Sequence, residues 1–294
     1  STYTCHYADG GLSEMYQSGL HYAGHYCSTV LTCRYTLPPS LAGFDRHTDV
    51  AQRFDAAVAQ TIIQFPLLQV GLVGESTRDP VWVSLASLDL TDHIKWDIQP
   101  DSTGYDRHFE DNLRYQLDTK FDHLETRPGW RLLMTRTETG NFVDVMFVWN
   151  HANCDGISAK IFHHALLESL NSSSSSTPLV PGSRVMSTVI SESMFPQPQE
   201  NLAEHPLTFG FMCWEMWHNY GPSFFLSSTA NANWAPIHHE PYITRTKCMD
   251  IDSATLQRLL GLCRKHGTTL TGLLHGITLA CLSTQLPEGK ANSF

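Results

Sequence analysis

Apolar residues recur along this chain at two alternating spacings, and their order predicts a mixed fold. From Asp45 to Gln64 the apolar side chains fall at helical spacing through Val50, Phe54, Ala57, Val58 and Ile62. Val81 to Leu88 alternates like a half-buried strand. Tyr105 to Leu124 predicts a polar helix with Phe109, Leu113, Leu117 and Phe121 on one face. Trp130–Thr137 and Phe142–Trp149 flank Thr139-Gly140-Asn141 and predict a hairpin. The second of these strands is almost continuously apolar, as in a central strand covered on both faces. Helical spacing resumes from Ile157 to Leu170 through Ile161, Phe162, Ala165 and Leu166.

The run Asn171-Ser172-Ser173-Ser174-Ser175-Ser176, followed by Pro178 and Pro181, breaks the pattern. Serines bury nothing, so a flexible surface loop is expected there. Pro196 to Pro206 forms a second irregular region. Beyond it, Tyr242–Met249 predicts a strand. Asp252 or Ser253 can cap a helix carrying Leu256, Leu259, Leu260 and Cys263, with Gly267 past its end. Thr269–Gln285 is apolar on most sides and predicts a buried helix. The expected fold class is α/β (α+β mixed), with no internal repeat. The expected segments are 1–171 as an N-terminal lobe, 172–241 as linker and crossover, and 242–294 as the start of a C-terminal lobe.

Composition narrows the function classes. A chain of 294 residues with 41% hydrophobic and 16% charged residues is that of a compact protein. A net charge of −10 argues against nucleic acid, whose phosphates need clustered Lys and Arg. No run of apolar residues is long enough for a membrane span, and Ser1–Gly10 shows no secretion signal. The eight cysteines are scattered without a C-x-x-C pair, which fits a reducing, cytoplasmic setting.

The chemistry concentrates at Asn150-His151-Ala152-Asn153-Cys154-Asp155-Gly156-Ile157-Ser158, between the apolar strand and the helix after it. His151 leaves a rigid element there, with a geometry that can face a cleft. An imidazole with an ordinary pKa of about 6.5 can take a proton from an alcohol at neutral pH. Asp155 falls where the helix begins, able to cap it or to pair with an arginine. Gly156 permits a tight turn or a close backbone approach. By chance, H-x-x-x-D-G would occur roughly 0.06 times in a chain of this composition.

This motif resembles that of the CoA-dependent acyltransferase superfamily, which includes chloramphenicol acetyltransferase, condensation domains and the plant BAHD enzymes. Within it the chain is most similar to the fungal alcohol acetyltransferases. Two further stretches carry the likeness: Leu12–Tyr16 and Leu20–Tyr26 running into Val30–Tyr35, and Leu256–Leu286 around Cys263-Arg264-Lys265-His266-Gly267-Thr268-Thr269. Asn150 stands where condensation domains have a second histidine, which favours the alcohol acetyltransferase branch. The resemblance implies a two-lobe, chloramphenicol-acetyltransferase-like architecture with a channel between the lobes. It implies acyl-CoA as co-substrate with no permanent cofactor, a small-molecule alcohol as acceptor, and His151 as general base. Asp155 would then be structural and arginine-paired, with Arg34 one candidate partner. The second lobe is expected to be incomplete at Phe294, so that self-association, a complementing chain or residues missing from this sequence would cover it.

Two other readings stay open: an acyltransferase-like binding module without catalysis, and a CoA-independent condensation or cyclisation catalyst in the same channel. His21 and His25, four apart, could share a helix face as metal ligands or line the channel; no third ligand stands at a suitable spacing, and no metal is expected. Asn150 is a further channel-lining candidate. Cys154 could form a dyad with His151 or merely fill the loop. The aromatic run Phe209, Phe211, Trp214, Trp217, Tyr220, Phe224 and Phe225 is expected to pack between lobes rather than on a membrane.

Overall fold

The structure, a computed structural model, describes residues 7–9, 11–172, 177–190, 194–195, 197, 199–202, 208–221 and 243–285. Its elements in chain order are β1 (Tyr7–Asp9), α1 (Leu12–Ala23), β2 (Thr29–Thr36), α2 (His47–Ile62), β3 (Val70–Val73), β4 (Val81–Ser84), β5 (Ser87–Asp89) and β6 (Ile94–Gln99). There follow α3 (Tyr105–Asp118), β7 (Trp130–Thr137), β8 (Phe142–Trp149), α4 (Gly156–Asn171), β9 (Val185–Ser187), α5 (Gln199–Leu202), α6 (Phe209–Tyr220), α7 (Ser253–Lys265) and α8 (Leu270–Gln285). The class is mixed α/β, as the periodicities predict. Two compact units emerge, one of residues 1–204 with 242–246, the other of 205–241 with 247–294.

The first unit is built on a four-stranded sheet ordered β2-β8-β7-β6. β8 pairs antiparallel with both neighbours, while β6 runs parallel to β7. The nearly continuous apolar run of β8 is explained by cover on both faces. Val145, Phe147 and Trp149 join the main core with Phe54 and Val58 of α2 and Phe162 and Leu166 of α4. Met146 and Val148 turn to the opposite face, against Phe109 and Leu113 of α3. Side chains of one strand alternate between faces, so a strand apolar at every position needs a layer on each side. The Phe147 and Phe162 rings stack with centroids 4.1 Å apart, fixing α4 over β8.

Several expectations shift. The predicted strand at Val81–Leu88 divides into β4 and β5, which join different sheets. The helix predicted to reach Leu124 stops at Asp118. Arg131 of β7 ends it: Nε donates to Gln116 Oε1 at 2.6 Å, and Nη2 to the Gln116 and Thr119 carbonyls at 2.9 Å each. The guanidinium stacks on Phe121, 4.3 Å from the ring centroid, so Phe121 reaches its apolar face from a loop. Residues 243–249 form no strand, and Tyr242 lies outside the described residues.

In the second unit Asp252 caps α7 by accepting from Thr255 N–H at 2.9 Å. The helix expected at Thr269–Gln285 forms as α8, but it is exposed along most of its length, including Leu274, Ile277 and Leu279. Its apolar residues spread around the whole circumference, which is why the pattern read as burial. Phe209, Phe211, Trp214, Trp217 and Tyr220 on α6 are likewise exposed; Phe224 and Phe225 lie outside the described residues, as do Ser173–Ser176. No helix among the described residues is long and apolar enough to cross a membrane.

Candidate active site

The loop carrying His151 is held at both ends by the sheet. At the end of β8, Trp149 faces Thr29 of β2 on one side and Trp130 of β7 on the other. Asn150 N–H then donates to the Gly129 carbonyl at 2.7 Å, extending the β7–β8 pairing by one step. The Asn150 Oδ1 accepts from Ala152 N–H at 3.0 Å, the side-chain-to-backbone turn asparagine favours. Asn153 N–H returns to the Asn150 carbonyl at 2.9 Å, and Asn153 Nδ2 donates to the Leu67 carbonyl at 3.1 Å. Finally the Trp149 indole N–H donates to the Cys154 carbonyl at 2.7 Å, closing the loop on itself.

Gly129 is required by this arrangement. A Cβ there would lie 2.5 Å from Asn153 Oδ1 and 2.9 Å from Asn150 Cβ. Gly156 is different: its φ is not left-handed, and a Cβ would meet nothing within 4 Å. The close backbone approach expected at Gly156 therefore occurs at Gly129 instead.

Asp155 caps α4. Its Oδ1 accepts from Ser158 N–H at 2.7 Å and from Ser158 Oγ at 2.6 Å, and these bonds hold its carboxyl below the usual carboxylate range. The expected pairing with Arg34 does not form. Arg34 instead makes a bidentate pair with Asp144, its cross-strand partner on β8, at 2.8 and 2.7 Å. Tyr105 Oη also donates to Asp144. Register decides this: Arg34 sits directly opposite Asp144, far along β2 from the end where the motif begins.

His151 itself is half-buried, and its ring lies 5.4 Å from that of Tyr26. The two meet because Thr29 pairs with Trp149, so the residues entering β2 and leaving β8 share one end of the sheet. Tyr26 Oη accepts from Thr29 Oγ1 at 2.9 Å. Neither ring nitrogen of His151 is bonded to a described residue. The buried histidines differ. His93 Nδ1 is bonded to the Trp130 carbonyl, and His163 bonds both Tyr35 Oη and the Leu31 carbonyl.

His21 is also committed. Its Nε2 accepts from Phe121 N–H at 3.1 Å, which leaves the proton on Nδ1, facing Glu75 Oε1. It is 2% exposed and clasps three chain segments instead of facing a channel. His25 is exposed and lies past the end of α1, which stops at Ala23 with Gly24 at φ 76°. The two histidines thus share no helix face for a metal. Asn150, expected to line the channel, is buried and shapes the loop. Burial, with Asp155 beside it, pushes the Cys154 thiol up to about 12, which leaves a thiol rather than a nucleophilic thiolate at neutral pH. Tyr26, Trp149, Asn153 and Gly129 were not singled out from sequence. Only Gly129, in Pro128-Gly129, carried a turn signal.

The sequence profile described as alcohol acetyltransferase matches residues 105–293. The chain belongs to the alcohol acetyltransferase family. It is 24% identical over 292 residues to a probable alcohol acetyltransferase of Fusarium pseudograminearum, covering 97% of this chain and 58% of that one. A second probable alcohol acetyltransferase, from Aspergillus fumigatus, is 23% identical, covering 95% of this chain and 59% of the other. The chain thus spans somewhat under three fifths of these family members' length. Among solved structures, the tallysomycin biosynthesis protein TlmII shares 16% identity over 56% of this chain and 37% of that one, with a TM-score of 0.43. Within this member of the alcohol acetyltransferase family, the H-x-x-x-D-G residues sit where β8 gives way to α4.

Proposed function

We propose that this member of the alcohol acetyltransferase family transfers an acetyl or other acyl group from acyl-CoA to a hydroxyl of a small molecule, with His151 as general base. The observation that carries this reading is the contrast between half-buried His151 and the buried imidazoles. His21, His93 and His163 spend ring nitrogens on protein groups, whereas His151, on a loop fastened at five points, has neither ring nitrogen bonded among the described residues. A positioned, uncommitted imidazole can take the proton from an attacking hydroxyl as the C–O bond forms. It can then return that proton to the departing CoA thiolate as the C–S bond breaks. Asp155 serves this reading as the anchor of α4, and Tyr26 as one wall beside the ring.

Incubation of the protein with acetyl-CoA and a panel of small alcohols, with free thiol measured over time, tests the proposal. Alcohol-dependent thiol release that His151→Ala removes supports it. Release that persists in His151→Ala overturns the assignment of the base.

A further inference from the structure

A groove of about 850 Å³ runs along the edge of β2 that pairs with no strand among the described residues, between α2 and α4. Its volume lies within the range of small-molecule sites. Leu31 and Leu37 from β2 and the turn after it, Leu41, Phe54 from α2, and Leu167 and Leu170 from α4 give it an apolar lining. The polar groups beneath are satisfied internally. His163 Nε2 donates to the Leu31 carbonyl at 3.1 Å, and its Nδ1 takes the Tyr35 hydroxyl at 2.9 Å. The floor therefore offers a ligand mostly carbon.

The rim carries charge of one sign. Arg34, Arg53 and Lys160 line the groove and, among the described residues, no Asp or Glu does, in a chain whose net charge is −10. Arg34 is tied to Asp144. Arg53 and Lys160 are exposed, and neither is bonded to a described residue. Lys160 lies near the start of α4. Arg53 also lines the neighbouring hollow with Leu170 and Ser172, at the other end of that helix.

We propose that this groove binds a fatty carboxylate, its alkyl chain along the apolar floor and its head group on Arg53 or Lys160. An extended peptide pairing with β2 fits less well, because the Leu31 carbonyl on that edge is already taken by His163. A second copy of the chain would bring like charges together. His151 is not part of the lining, so the proposal does not rest on acyl transfer at His151.

Titration of the protein with dodecanoate at pH 7.5, followed by calorimetry, is the test. Affinity should rise roughly four-fold for each methylene from octanoate to dodecanoate. Dodecanol should bind more weakly than dodecanoate. Leu167→Glu, at an exposed position of α4, should abolish binding. Lys160→Glu or Arg53→Glu should weaken it roughly ten-fold, more at low salt, and the one that does so locates the head group. His151→Ala should bind unchanged. Equal binding of dodecanol and dodecanoate, or unchanged dodecanoate affinity in the Arg53→Glu/Lys160→Glu double variant, overturns the proposal. So does failure to bind dodecanoate, whether an acidic peptide binds instead or light scattering shows a dimer that Leu167→Glu dissociates.

Discussion

The indole N–H of Trp149 donates to the Cys154 carbonyl at 2.7 Å, bridging the loop on which His151 rides. A rigid strand residue thus sets the far end of the loop that follows it. Trp149→Phe keeps the ring packing against Phe147 but removes the donor. The loss should cost about 1 kcal/mol in denaturant unfolding. It should also lower kcat for acetyl transfer by about ten-fold while leaving KM for acetyl-CoA little changed. Unchanged kcat would show that this bond does not aim His151.

The two glycines near the motif should behave oppositely. Gly129→Ala drives a methyl group into Asn153 Oδ1 and the Asn150 side chain, so the loop must shift. A stability loss of about 1–3 kcal/mol and loss of transfer activity are expected. Gly156→Ala meets open space and replaces a poor helix former, so stability should hold or rise by up to about 1 kcal/mol. Thermal midpoints of both variants decide this.

Asp155→Ala removes the cap of α4 and should cost about 1 kcal/mol, whereas Asp155→Asn should retain most of it. The Ser158 bonds lower the folded-state pKa of Asp155 below its unfolded value. Its contribution is therefore present above the unfolded value of about 3.9 and is lost as pH falls through the lowered folded one. Acid unfolding of wild type and Asp155→Asn should differ in that window.

Burial lowers the pKa of both His93 and His163. A histidine neutral in the fold but free to charge when unfolded binds more protons in the unfolded state. Stability from these two should be intact well above about pH 6.5 and should fall as pH drops below it. Urea midpoints at pH 7.5 and 5.5 measure the effect. His163→Asn should reduce the difference between them, even at a cost in stability at pH 7.5.

Thiol accessibility should separate the cysteines sharply. Cys213 and Cys281 are exposed, while burial pushes Cys154 up to about 12. Iodoacetamide at pH 8, followed by mass mapping, should label the first two quickly and leave Cys154 unmodified until the protein unfolds.

Much of the fold was legible because it is written in local periodicity. The hairpin of β7 and β8, the two-sided cover of β8 and the start of α4 at Asp155 all follow from residues close in sequence. The end of α3 was not legible. Its apolar repeat continues through Phe121, yet Arg131, thirteen residues past the last helical one, takes the carbonyls of Gln116 and Thr119. The burial expected of α8 failed for a related reason: a helix apolar on every side does not say what covers it.

At the site, the sequence alone determined the chemistry-bearing residues of the motif and their place between a strand and a helix, since spacing and capping act within a few residues. The tertiary structure decided the rest. Thr29 opposite Trp149 brings Tyr26 to His151, Arg34 opposite Asp144 removes it from Asp155, and Phe121 and Glu75 occupy the ring of His21. Each is a contact between residues more than fifty positions apart, or depends on a pairing that far apart, fixed by strand register and packing. Whether an imidazole stays uncommitted depends on those long-range neighbours, because an unpaired nitrogen is defined by everything folded around it.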